Sequence, residues 1–187
     1  MKLLFVNNHD SFVYNIVQIA GKLGYGMDIM MNDDLSGVDP DKYDRIIISP
    51  GPGNPVNPRD SGQIPDFLER CGDVRVLGIC FGHQAMAYFL NSGIRVMERP
   101  LHGEVDTIIH SHSLLYGDIP EKFRAVRYHS LTVVPSENIV VDAVSERDGS
   151  VMGFHDRKNL YFGIQYHPES YYTEYGENLI RNFVEAE

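Results

Sequence analysis

The chain has 187 residues, the size of one domain, long enough to remove roughly 70 per cent of its unfolded surface from water. Hydrophobic residues at 43% and charged residues at 22% argue against disordered, collagen-like and membrane-spanning classes. Sixteen basic against 26 acidic residues give a net charge of −10, with no basic cluster to offset it, so nucleic acid and anionic membrane are disfavoured as partners.

Lys2 is followed by only four apolar residues, Leu3 to Val6, too few for a signal sequence or a spanning helix. A cytosolic chain is expected, whose two cysteines, Cys71 and Cys80, stay reduced. The run Leu3–Val6 reads as a strand buried on both faces, and Asp10-Ser11 as caps for a helix. Phe12, Val13, Ile16, Val17, Ala20 and Leu23 form that helix's apolar stripe, with Gly24 and Gly26 as its stop. Met27–Met31 and Arg45–Ile48 are predicted strands, separated by a polar loop over Asn32–Lys42. A Pro/Gly segment at Ser49–Pro58 leads to a predicted helix over Ser61–Cys71, an apolar strand over Val74–Ile79 and a helix over Gln84–Leu90.

Beyond Ile94 come short extended runs, among them Val105–Ile109, Leu131–Val134, Ile139–Val141 and Leu160–Ile164, read as partly antiparallel additions to the sheet. A final helix is expected over Thr173–Ala186, with Leu179, Ile180, Phe183 and Val184 on one side. Alternating strands and helices give an α/β fold of one domain, residues 1–187. Its sheet is open, mostly parallel and twisted, with flanking helices and antiparallel additions in the C-terminal half. Such sheets bind ligands beyond the carboxyl ends of their strands.

Gly78-Ile79-Cys80-Phe81-Gly82 has the form Gly-x-nucleophile-x-Gly at a strand-to-helix junction. Glycines two positions either side suit the crowded turn of a nucleophile elbow, and a helix N-terminus stabilises a thiolate. Cys80 is otherwise a buried structural cysteine; its position after an apolar strand favours the nucleophile. In His167-Pro168-Glu169, the proline biases His167 toward extended geometry, so that His167 and Glu169 share one side. A carboxylate that fixes the imidazole tautomer makes His167 a general base, although the same pair occurs on ordinary surfaces. Ser49-Pro50-Gly51-Pro52-Gly53 ends the Ile-rich strand. Alone it is a tight turn. At the sheet edge that carries Cys80, the N–H groups of Gly53 and Phe81 are candidates to face an oxyanion.

Neither His110-Ser111-His112 nor Cys80 to His83 has metal-site spacing, and neither a Gly-x-Gly-x-x-Gly nor a P-loop motif occurs, so no metal or cofactor is expected. Cys71 beside Gly72 reads as structural, and Tyr166, Tyr171, Tyr172 and Tyr175 as packing residues.

Ser-Pro-Gly-Pro-Gly at 49–53, Gly-Ile-Cys-Phe-Gly-His-Gln at 78–84, Tyr-His-Ser-Leu at 128–131 and His-Pro-Glu-Ser at 167–170 together resemble the class I, triad-type glutamine amidotransferases over nearly the whole chain. Asn8 to Phe12, Pro100 to Gly103 and Thr173 to Gly176 resemble more narrowly the members that serve anthranilate synthase and aminodeoxychorismate synthase. The resemblance implies a triad of Cys80, His167 and Glu169 that hydrolyses glutamine through a glutamyl thioester. It implies glutamine contacts from Gly51, Pro52 and Gly53, a hold on the amino-acid end by Gln84, Ser130 and Leu131, and oxyanion donors at Gly53 and Phe81. The implied partner is a chorismate-binding synthase large subunit that receives the ammonia. The alternatives are another ammonia acceptor, a free-standing γ-glutamyl cysteine hydrolase, and a noncatalytic binding subunit. Two departures stand out: Phe81 where Leu is common, and Glu104 where many members carry Lys.

Overall fold

A computed structural model describes residues 1–11 and 13–186, with Val13 described by its backbone only. The expectations for Phe12 and for the Val13 side chain fall outside these. Strand β1 (Leu3–Asn7) leads into helix α1 (Val13–Lys22). Then come β2 (Met27–Met31), β3 (Arg45–Ile48), the short α2 (Pro58–Ser61), α3 (Ile64–Arg70), β4 (Arg75–Ile79) and α4 (Phe81–Phe89). The second half contains β5 (Gly93–Val96), β6 (Glu104–His110), β7 (Lys122–Arg127), β8 (Leu131–Val134), β9 (Ile139–Ser145), β10 (Val151–Asp156), β11 (Tyr161–Ile164) and α5 (Gly176–Glu185).

Nine strands form one sheet in the order β2-β1-β3-β4-β11-β10-β9-β6-β7. From β2 to β11 all neighbours are parallel; from β11 to β7 all are antiparallel. Because successive strand residues point to opposite faces, the parallel block divides its apolar side chains between two cores. Leu3, Phe5, Ile47, Leu77 and Ile79 pack with Ile16 and Ile19 of α1 and Ile180 and Phe183 of α5. Leu4, Val6, Ile46, Ile48 and Val76 pack with Phe67 and Leu68 of α3 and Met86 of α4. Helix α1 ends as its glycine stop predicts: Gly24 has φ +88°, and the Tyr25 N–H reaches the Ala20 carbonyl at 2.9 Å, the Schellman pattern.

Three local expectations change. The helix expected over Ser61–Cys71 is broken between α2 and α3 at Gly62, whose φ of +54° leaves the helical region. Helix α4 starts at Phe81, three residues earlier than its apolar spacing suggests, since the elbow itself supplies the first turn. Strand β8 pairs with β5 in a separate antiparallel ribbon instead of adding to the main sheet. Among the described residues, no helix is long and apolar enough to cross a membrane.

Candidate active site

Strands β1, β3, β4 and β11 run parallel and end at one edge, so the segments that follow them converge there. Ile79 is level with Ile164 on the neighbouring strand, and the Cys80 N–H bonds the Ile164 carbonyl at 2.8 Å. Cys80 has φ +51° and ψ −99°, a positive-φ conformation disfavoured for any residue with a Cβ. Strain of this kind persists only where the surroundings enforce it. Here the enforcing contact is the passage of α4 over β3. The Gly82 N–H bonds the Ser49 carbonyl at 3.2 Å, and a Cβ on Gly82 would run into the Ile48 carbonyl. Gly78 likewise faces the Gly82 carbonyl. The Phe81 ring is buried in the α3/α4 core, and because Phe81 is the first residue of α4 its N–H has no intrahelical acceptor and makes no backbone hydrogen bond among the described residues.

His167 follows β11 and is tied to β7, its N–H reaching the Val126 carbonyl at 3.1 Å. Its Nδ1 lies 2.6 Å from Glu169 Oε1, with both side chains largely buried. The pairing arises differently from the expected extended alternation. Pro168 and Glu169 form a turn, closed by the Ser170 N–H on the His167 carbonyl at 3.2 Å, which folds the carboxylate back onto the ring. Nε2 is buried and makes no formed hydrogen bond among the described residues. Burial acts to lower the His167 pKa, but hydrogen bonding and charge from Cys80 and then Glu169 outweigh it and hold the imidazole at about 10. Cys80 is thus near enough to favour the imidazolium, although the pair does not meet hydrogen-bond geometry among the described residues. The Tyr128 ring covers His167 edge-on at 5.2 Å.

After β3, the turn at Gly51, Pro52 and Gly53 is largely open to solvent. Asn8, at the end of β1, braces its start by donating from Nδ2 to the Ser49 carbonyl at 2.7 Å, and its side chain backs Gly51. Gly53 has φ +99°, and a Cβ there would lie 2.6 Å from the Asp60 carboxyl carbon. Asp60 in turn accepts from the Asn54 N–H at 2.8 Å. The Gly53 N–H makes no hydrogen bond among the described residues. On the other side, Gln84 Nε2 donates to the Leu131 carbonyl at 3.1 Å and to Gln165 Oε1 at 2.9 Å, so Gln84 and Leu131 meet, with Ser130 exposed beside them.

Cys71 is buried at the end of α3, its Sγ on the Phe67 carbonyl, and burial pushes its thiol up to about 12, so it is inert at neutral pH. His83 is fully buried against Phe154, and burial pushes it down to about 3. Among the described residues, no group of three or more His, Cys, Asp and Glu side chains is arranged to hold a metal ion. The tyrosines divide: Tyr166 is buried and bonds Tyr116 through their hydroxyls at 3.0 Å, whereas Tyr171 is 93% exposed and Tyr172 also faces solvent. Those two do not pack in the core, because the turns after His167 carry them outward from the sheet edge. Asn8, Asp60, Tyr128, Arg127 and His129 contribute to the site without being individually legible in the sequence. Asn8, Tyr128 and His129 lie inside the motifs at 8–12 and 128–131, which is a usable signal; Asp60 and Arg127 carry none.

The family profile described as "Glutamine amidotransferase class-I" matches residues 4–186. "Anthranilate synthase component 2" of Saccharolobus solfataricus is 40% identical, covering 97% of this chain and 96% of that protein. The protein of the same name from Thermus thermophilus is 39% identical, over 99% and 92% of the two chains. The "Bifunctional protein TrpGD" of Thermotoga maritima is 35% identical, with 98% of this chain matching 32% of that longer protein. Among solved structures, a glutamine amidotransferase from Thermotoga maritima superposes with a TM-score of 0.76 at 16% identity, covering 90% of this chain and 76% of that one, which shows a shared fold. A structure from Thermoplasma acidophilum, described as belonging to a GMP synthase, superposes with a TM-score of 0.86 at 22% identity over 98% and 92% of the two chains. With a profile match that spans all but a few terminal residues and a relative 40% identical over nearly the whole chain, the chain belongs to the class I glutamine amidotransferases.

Proposed function

We propose that the chain acts as a single glutaminase domain, component II of an anthranilate synthase, which passes ammonia to a chorismate-binding large subunit. The observation that carries the chemistry is the strained Cys80 at a helix N-terminus, set beside a His167 that Glu169 holds at 2.6 Å. The names and near-complete coverage of the relatives support the choice of partner.

In this reading the Cys80 thiolate attacks the γ-amide carbon of glutamine. The developing oxyanion is met by the N–H groups of Gly53 and Phe81, and each such donor is worth about 2.7–4 kcal/mol in comparable sites. His167, charged at neutral pH, gives its proton to the leaving nitrogen, and ammonia departs from a glutamyl thioester. Now neutral, His167 takes a proton from water as the water attacks the thioester, and collapse returns the thiolate and glutamate. Glu169 keeps the Nδ1 proton in place and stabilises the imidazolium. Gly51 and Pro52 line one side of glutamine, while Gln84, Ser130 and Leu131 hold its amino-acid end.

The test is glutamate release from glutamine by the full chain, with purified anthranilate synthase and aminodeoxychorismate synthase large subunits added singly with chorismate, and identification of the aromatic product. Stimulation by the anthranilate synthase large subunit with anthranilate formed is the expected result. Stimulation only by the aminodeoxychorismate synthase partner reassigns the pathway, and turnover of another γ-glutamyl substrate without any partner overturns the reading as a synthase component.

A further inference from the structure

Arg127 is among the largest fully buried side chains of the molecule, in a strand that ends just before Ser130 and Leu131. Its guanidinium is engaged on every side. One terminal nitrogen meets Asp106 Oδ2 at 2.5 Å and Ser145 Oγ at 3.0 Å, and the other meets Asp148 Oδ2 at 3.1 Å. Its Nε lies 3.0 Å from His129 Nε2. Arginine has only donors, so His129 Nε2 must offer a lone pair. Burial, with Arg127 close by, pushes the His129 pKa down to about 4, and the neutral ring has one proton left, on Nδ1. That nitrogen lies 2.8 Å from the Leu131 carbonyl, the same oxygen that receives Gln84 Nε2.

The tautomer of His129 is thus dictated by a residue two positions earlier, and it determines a hydrogen bond two positions later. The main chain between is pinned as well: the His129 carbonyl accepts from the Leu101 N–H at 3.0 Å and the Ser130 carbonyl from the Met97 N–H at 2.8 Å. A buried cation with two carboxylates is a costly way to join two strands, since apolar side chains of similar volume do so with no desolvation cost. Directionality is what the arrangement adds. It fixes one carbonyl and, through it, the presentation of Ser130.

We propose that Arg127 and His129 are positioning residues for the amino-acid end of glutamine, acting through the Leu131 carbonyl that His129 and Gln84 clamp together. This rests on the glutaminase reading above. Neither residue touches the reacting atoms, so the pair acts on substrate binding more than on the chemical step.

The experiment uses the full chain with the large subunit that supports turnover, and compares wild type with His129→Leu, His129→Asn and Arg127→Lys. His129→Leu removes both hydrogen bonds; His129→Asn retains an N–H donor at the Nδ1 position; Arg127→Lys keeps the charge between Asp106 and Asp148 but loses the Nε donor. Expected are a KM for glutamine raised roughly five- to tenfold in His129→Leu and in Arg127→Lys with kcat within about threefold, and recovery of most of the loss in His129→Asn. Iodoacetamide labelling of Cys80, which needs no glutamine site, stays at the wild-type rate. If His129→Leu does not fold, the other two variants decide. An unchanged KM in Arg127→Lys, or kcat, labelling and KM all impaired together, overturns the positioning role while the glutaminase reading stands. Absence of glutamate release by wild type with either large subunit overturns that reading, and this proposal with it.

Discussion

The two halves of the sheet place functional groups by different physics. In the parallel half, Cys80, the Gly51–Gly53 turn and His167 all follow apolar strands packed between two hydrophobic cores, and their positions derive from strand register and the close passage of α4 over β3. In the antiparallel half, Ser130 ends the connection from β7 and Leu131 opens β8 of the β5/β8 ribbon, both held by the buried Asp106, Arg127 and His129 network and by Gln84. Apolar packing is non-directional and tolerant of small adjustments, whereas a buried charge network holds specific atoms in specific orientations and is intolerant of losing one member. The contrast suits the proposed roles: a nucleophile needs a rigid turn, and a substrate carboxylate and amine need oriented dipoles.

The comparison can be broken most sharply at the parallel half. Cys80→Ser should reduce glutamine-dependent product formation by about 10⁴-fold or more while ammonia-dependent formation by the complex is retained, because only the former passes through the thioester. Loss of both activities in parallel assays would show that the elbow also supports the partner's reaction. In the antiparallel half, Arg127→Met should cost about 3–5 kcal/mol in urea denaturation, since it strands Asp106 in the interior without its counter-charge. The matched control is Arg124→Met, whose exposed pair with Glu174 should be worth at most about 1 kcal/mol. Similar losses for the two would erase the distinction between the network and an ordinary surface pair.

A pH series sharpens the comparison at His167. Its pKa is raised in the folded state to about 10, from about 6.5 when unfolded, despite burial, by Cys80 and Glu169. The imidazolium's contribution to stability is therefore complete below pH 6.5 and is lost as the pH rises toward 10. The stability advantage of wild type over Glu169→Gln should shrink across that window; an advantage that grows with pH would contradict the assigned direction. The smallest effect is expected at Glu104, which bridges Arg99 at 3.3 Å and Arg147 at 2.5 Å on the surface. Glu104→Ala should change stability by less than about 1 kcal/mol, and a larger loss would mean that the surface pairs support the buried Arg127 network beneath them.

How legible each part was follows the same division. Leu3–Val6, Arg45–Ile48 and Val74–Ile79 announced themselves as apolar runs, and Cys80 stood out because only a sharp strand-to-helix turn needs glycines at both 78 and 82. His167 and Glu169 meet, as their spacing suggests, but through a turn that the spacing does not reveal, since the proline signal constrains the residue before it more than the path after it. Arg127 was invisible. A charged residue in a short alternating strand reads as solvent-facing, and its partners Asp106, Ser145 and Asp148 are 18 to 21 residues away in the chain.

By itself, then, the sequence determined the alternation of strands and helices, the elbow around Cys80 and the membership of the class I glutamine amidotransferases, because these reside in local periodicity, turn chemistry and short motifs. Only the tertiary structure decided that β5 and β8 form a ribbon apart from the main sheet, that Tyr166 is buried while Tyr171 is exposed, and that Arg127 orients His129 toward the Leu131 carbonyl. Each of these depends on which distant segments become neighbours, and strand pairing and buried charge partners are set by the packing of the whole chain rather than by any window of it.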